Sequence, residues 1–261
     1  MEFSAGFTNI SYDAEGVVQA FSAVTGEYLG GQKFRPAVPD AINLGTGNAA
    51  LVYDTSIFGG TAPILGQRYR LEFGMAGGTL NFSTFLMDYR RYMKIAGPLS
   101  LAARVMHYGR YGWDSEDPRM TELFIGYPSL VRGYEADSFS PSECTLSSGG
   151  SIYCPTLDRL FGSRMLVGNA ELRLPIFGFL GVIPSRGAPP VDAAFFYDAG
   201  MAYRSKELAR SLGVPRRPVS SYGASLRFNV LGFFIGQLSY VHANDRPQRR
   251  WGWEFSIIPG F

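Results

Sequence analysis

Val131-Arg132-Gly133-Tyr134 sets a permanently charged guanidinium beside a glycine that lets the chain turn tightly and a phenol that can both pack and hydrogen-bond. Held away from water, such an arginine needs a carboxylate, because a buried unpaired charge is expensive. Two candidates lie downstream: Glu171 in Gly168-Asn169-Ala170-Glu171, and Asp198 in Phe195-Phe196-Tyr197-Asp198-Ala199-Gly200. The guanidinium offers five donors in a rigid fork, so it can engage both. The chemistry implied is that of a lock, an ion pair fixing one segment on another. The competing account is a solvated loop charge, with carboxylates that merely line water. Asp192, Asp198 and Glu171 could also be imagined as paired acid–base carboxylates, but the arginine explains them better. Gly-x-Ser-x-Gly, His-Glu-x-x-His and P-loop motifs are absent, and His107 and His242 are isolated. No catalytic residue, metal or cofactor is expected.

The elements that must position these groups read as long β-strands. From Met165 to Ile176, Met165, Val167, Asn169, Glu171 and Arg173 share one face, and Leu166, Gly168, Ala170, Leu172 and Leu174 the other. From Val191 to Tyr203, Asp192, Asp198 and Gly200 lie opposite Phe195, Tyr197 and Tyr203. Both candidate carboxylates thus fall on the polar face. The same alternation recurs near 1–11, 47–57, 65–75, 79–93, 97–107, 218–230, 232–243 and 250–261. A further candidate strand lies near 17–26, and 79–93 is irregular enough to suggest a bulge. Runs of about ten residues match the tilted crossing of a bilayer, whereas sandwich strands average ~5–6. The stretch 108–162 is the one long excursion, and it carries the arginine.

Composition agrees. Charged residues are 18% of the chain and aromatics 15%, against a charged share of ~25% in ordinary soluble domains. No stretch reaches the ~18 apolar residues of a membrane helix, so any crossing falls to strands closed into a barrel, which pairs every backbone group. The expected fold is all-β: an antiparallel transmembrane barrel segment of ten or eleven strands with a long, inward-folded loop. A net charge of +2 gives no reason to expect nucleic acid. Cys144 and Cys154, ten positions apart in the excursion, are either free thiols or a bridge, and their closeness in an external segment favours the disulfide.

With these residues in place, the chain resembles the C-terminal part of the BamA/TamA barrel superfamily, the bacterial surface antigen family of outer-membrane assembly and translocation proteins. The resemblance rests on Val131-Arg132-Gly133-Tyr134, on Gly168 through Glu171 with Pro175, and on Phe196, Asp198 and Gly200. Order fits too: the family's signature loop lies between the eleventh and twelfth of sixteen strands, and five strands follow the excursion here. The similarity is good over 47–261 and poor before it. It implies that the loop folds back into the lumen, that Arg132 reaches Asp198 with Glu171 alongside, and that the Cys144–Cys154 bridge stiffens the outer loop.

The end of the chain resembles the sorting signal of outer-membrane barrels, with Gly252, Phe255, Ile257 and the terminal Phe261 at its key positions. Implied localisation is the outer membrane of a Gram-negative type cell. Implied partners are lipid and lipopolysaccharide, unfolded client strands, and upstream periplasmic domains. The start Met1-Glu2-Phe3 lacks a secretory signal, so residues 1–261 are expected to be a partial barrel domain of a longer protein, with upstream strands and periplasmic repeats missing. Two clusters, Arg204, Lys206, Arg210, Arg216 and Arg217, then Arg246, Arg249 and Arg250, read as a solvated rim or as contacts for lipopolysaccharide phosphates. Rival functions are a secretion or passive transport pore, and a barrel that anchors an upstream soluble domain.

Overall fold

A computed structural model of the chain describes residues 1–146, 152–177, 190–205, 217–230, 233–246 and 251–259. Ten long strands form one antiparallel sheet in strict chain order. They are β1 (Glu2–Ile10), β2 (Ile42–Asp54), β3 (Pro63–Gly78), β4 (Phe82–Ala96), β5 (Leu99–Tyr111), β6 (Arg164–Pro175), β7 (Val191–Tyr203), β8 (Val219–Val230), β9 (Phe234–Ala243) and β10 (Trp251–Pro259). A short strand, Ile57–Phe58, adds an eleventh member against β3. Among the described residues no ladder joins β1 to β10, so the sheet is open.

Alternation decides which side of each strand faces inward. On β7 the even positions Asp192, Ala194, Phe196, Asp198, Gly200 and Ala202 are buried, while Phe195 and Tyr197 are exposed. On β10, Trp251, Trp253, Phe255 and Ile257 all point outward. Large apolar side chains left on one continuous outer face suit lipid rather than water. The inner face is not simply wet. Toward the end that bears the excursion 112–163, Ile125, Leu130, Val131, Tyr134 and Leu160 pack on Met165, Val167, Ala202, Val219 and Ala243 of the wall. The loop therefore brings its own apolar core into the curve of the sheet.

Several boundaries differ from the sequence expectation. The strand expected from 47 begins at Ile42, because Gly45 and Gly47 hide its alternation while Ile42 and Leu44 still pack inward on Leu80. The strand expected near 17–26 is half of a separate hairpin, Gly16–Phe21 with Tyr28–Phe34, turned at Gly26 (φ 72°). The irregularity expected within 79–93 falls later, between Lys94 and Ala96 on the β4–β5 pair. β5 also runs on to Tyr111, which trims the excursion to 112–163. The terminal Phe261 lies outside the described residues.

Candidate functional site

Strand register builds the acidic half of the site. Asn169 on β6 stands opposite Asp198 on β7, and Glu171 opposite Phe196. With a side-chain period of two, all four share the inner face, and a one-residue slip would turn them all outward. Between them they form a shallow socket on two neighbouring strands.

The excursion supplies the cation. The run 127–131 closes turns through Leu130 N–H and Val131 N–H, both donating to Tyr127 O, and Val131 is fully buried. Arg132 follows, its side chain 4% exposed. Its Nε lies 2.6 Å from Asp198 Oδ2, one Nη 2.8 Å from Asp198 Oδ1, and the same Nη 3.0 Å from Glu171 Oε1. The guanidinium carbon sits 3.5 Å above the centre of the Phe196 ring, the position a cation takes on an aromatic face. Burial would loosen its hold on the proton. The hydrogen bonds it donates to Asp198 and the charges of Glu171 and Asp198 more than reverse that, so the group stays charged.

Its neighbours explain why the motif has this form. Gly133 adopts φ 86°, and a Cβ there would lie 2.9 Å from Val241 Cγ1. Its N–H donates to Glu254 Oε2 on β10 at 2.9 Å. Tyr134 is fully buried and donates from its hydroxyl to Ser220 O at 2.7 Å; burial pushes its phenol pKa up, which keeps it a donor. Gly200 leaves room for the loop, since a Cβ there would come within 2.6 Å of Val131 Cγ2. Gly168 faces outward and meets nothing closer than Arg104 O at 4.0 Å; nothing in the structure explains a requirement for glycine there.

Three participants carried no assigned role in the sequence. Asn169 Nδ2 bridges Leu130 O and Asp198 Oδ1, each at 2.8 Å. Arg173 and Arg227 join Arg132 on Glu171, each at 2.7 Å. Glu171 is thus a hub for three arginines rather than an accessory to one. All three newcomers fall on the inward set of their strands, and that is the signal that marked them.

Arg246 requires a correction. Grouped by sequence with a basic rim, it is 0% exposed. It forms a bidentate pair with Glu143, donates to Gly133 O, Ser138 O and Ser138 Oγ, and covers the Phe139 ring at 3.9 Å. A charge with that many partners is a clasp, and the β9–β10 connection uses it to grip the excursion just beyond its tip. Next to it, Asp245 accepts from Tyr134 and from Arg159. Arg204 is paired with Glu122. Lys206, Arg210, Arg216, Arg249 and Arg250 lie outside the described residues.

Cys144 and Cys154 are joined, with Cα atoms 4.1 Å apart. Because Glu143 precedes Cys144, the bridge steadies the carboxylate that Arg246 grips. Reduction is expected to remove ~3 kcal/mol of restraint from this loop. Amide hydrogen exchange should then quicken over 133–146 while β6 and β7 stay protected; equal exchange with and without reductant would count against that role.

Residues 54–257 match the Omp85 superfamily domain. No curated protein sequence matches the chain. Among solved structures, it is similar to BamA from Haemophilus ducreyi lacking POTRA domains 1–3, with a TM-score of 0.59 and 14% identity. The match covers 91% of this chain and 44% of the other, so the chain spans less than half of that protein's length.

Proposed function

Because the chain belongs to the Omp85 superfamily, we propose that it is an outer-membrane β-barrel that helps other proteins insert into or cross that membrane, without catalysis of its own. Its exposed face of Phe195, Tyr197, Trp253, Phe255 and Ile257 would meet lipid acyl chains. Arg132 would hold the signature loop in the lumen through Asp198 and Glu171.

One observation carries the reading: among the described residues β10 is an edge strand, and its inner side is tied to the loop tip. β10 pairs with β9 and, among the described residues, with nothing on its other side. An edge ladder recruits a further strand through main-chain hydrogen bonds. Gly133 N–H on Glu254 makes the placement of β10 depend on the same loop that Arg132 locks. A client strand pairing along β10 would enter the bilayer beside it, and residues 251–257 would form one wall of that seam.

The test is client folding. Lipid vesicles holding the chain are mixed with a urea-unfolded outer-membrane barrel, and its gel-shifted folded form is followed in time. Faster folding than in empty vesicles is expected. An unchanged client rate combined with a steady open conductance would favour a transport pore, and deletion of 125–160 would then barely alter the current. An unchanged rate with no conductance would favour an anchor.

A further inference from the structure

Below the lock, the inner face holds a half-open chamber of about 710 Å³, within the range of small-molecule sites. Tyr127, Pro128, Ser129 and Arg132 of the excursion form its roof. Its floor is the segment 56–63, which crosses to the far wall. There Arg173 Nη1 donates to Pro63 O and Asn229 Nδ2 to Gly60 O, both at 2.9 Å, and the Thr61 hydroxyl donates to the Asp192 carboxylate.

The lining is strongly one-signed. Arg68, Arg90, Arg104, Arg132, Arg173 and Arg227 reach it, against a single carboxylate, Glu171. Neighbouring acids do not balance them. Arg90 and Arg104 share Asp88, while Arg132, Arg173 and Arg227 share Glu171, with Asp198 also on Arg132. Counting Asp192, which stands opposite Arg227 and accepts from Thr61 of the floor, these five guanidiniums meet four carboxylates, an excess of one positive charge. Arg68 is matched more loosely, by Asp54 at 3.7 Å, with both partly exposed. Side-chain exposure is 18% or less for Arg104, Arg132, Arg173 and Arg227, so their charges are poorly screened by solvent. Tyr92, Tyr127 and Ile235 supply an apolar wall for an organic body.

We propose that this chamber binds a small soluble oxyanion, a metabolite-sized compound bearing phosphate or carboxylate groups. Guanidinium forks match such groups bidentately. An anion entering here would offset the positive charge that the protein leaves unmatched. The inference stands apart from client insertion, since it rests on the chamber and not on the edge strand.

Calorimetric titration of the full chain, folded in neutral detergent, with pyrophosphate at low salt tests it. Saturable one-to-one binding is expected. Arg90→Gln should weaken it about tenfold, the worth of one charge-assisted hydrogen bond. That change leaves Asp88 paired with Arg104, so the heat-dependent gel shift of the folded form should persist. If the variant misfolds, Arg68→Gln at the chamber edge makes the same comparison. Arg204→Gln, outside the chamber, should bind like the unaltered chain. Three results overturn the proposal: heats that never saturate, equal affinity in the chamber variant and the unaltered chain, or a response only to anionic-lipid nanodiscs with none to pyrophosphate.

Discussion

Replacing Arg132 with methionine is expected to destabilise the folded protein by ~3–5 kcal/mol, the usual result of removing one partner from a buried ion pair. Methionine keeps most of the side-chain volume, so the loss is that of charge rather than of packing. Asp198, 0% exposed, would keep only two neutral donors against its carboxylate, the amide of Asn169 and the backbone N–H of residue 132. Glu171 would fare better, because Arg173 and Arg227 still hold it. The asymmetry gives a second expectation. Adding Asp198→Asn to Arg132→Met should recover much of the loss, since it removes the stranded charge, whereas adding Glu171→Gln should deepen it by stranding two arginines. Urea midpoints and the temperature of the gel shift report both. Exchange of the charges is a harsher form of the same test. Arg132→Glu should fold poorly, and Asp198→Arg in that background should restore it in part. An unaltered gel shift in Arg132→Met or Arg132→Glu would refute the lock.

Arg246→Ala is expected to act just as strongly but more locally. It takes the guanidinium counter-charge from Glu143, whose side chain is 6% exposed and would keep the neutral Ser140 N–H, and removes the same group as donor to Gly133 O and Ser138 O. A penalty of ~3–5 kcal/mol again follows. Here it should fall on the outer loop, not on the sheet. Limited proteolysis should open a new cleavage region within 133–146, with β6 and β7 still protected. Arg204→Ala is the control. Arg204 is 12% exposed but its partner Glu122 is 37%, so water still screens the pair and its loss should cost less than that of the buried one. Equal resistance of Arg246→Ala and Arg204→Ala to protease would show that the clasp holds nothing. Together the two arginines grip the loop tip from opposite sides: Arg132 fastens it to β6 and β7, and Arg246 to the β9–β10 connection.

The sequence by itself determined the strands and their faces. Alternation is local, so Glu171, Asp198 and Arg173 could be assigned to the inner surface from their neighbours alone, and Phe195 and Tyr197 to the outer. It also showed that Arg132, if held away from water, needs an acid, because a guanidinium stays charged wherever it is placed. Where glycine thinned the pattern, as at Gly45 and Gly47, the start of β2 was lost. Tertiary structure alone decided who meets whom. Arg132 and Asp198 are 66 positions apart, and Arg246 and Glu143 are 103. No periodicity reaches across such distances, and a loop arginine gripped by a neighbouring loop reads in sequence like one dissolved in water. The hub at Glu171 was hidden for the same reason. Each arginine's face was legible, but their convergence on one carboxylate depends on strand register and on the path by which the excursion turns back into the curve of the sheet.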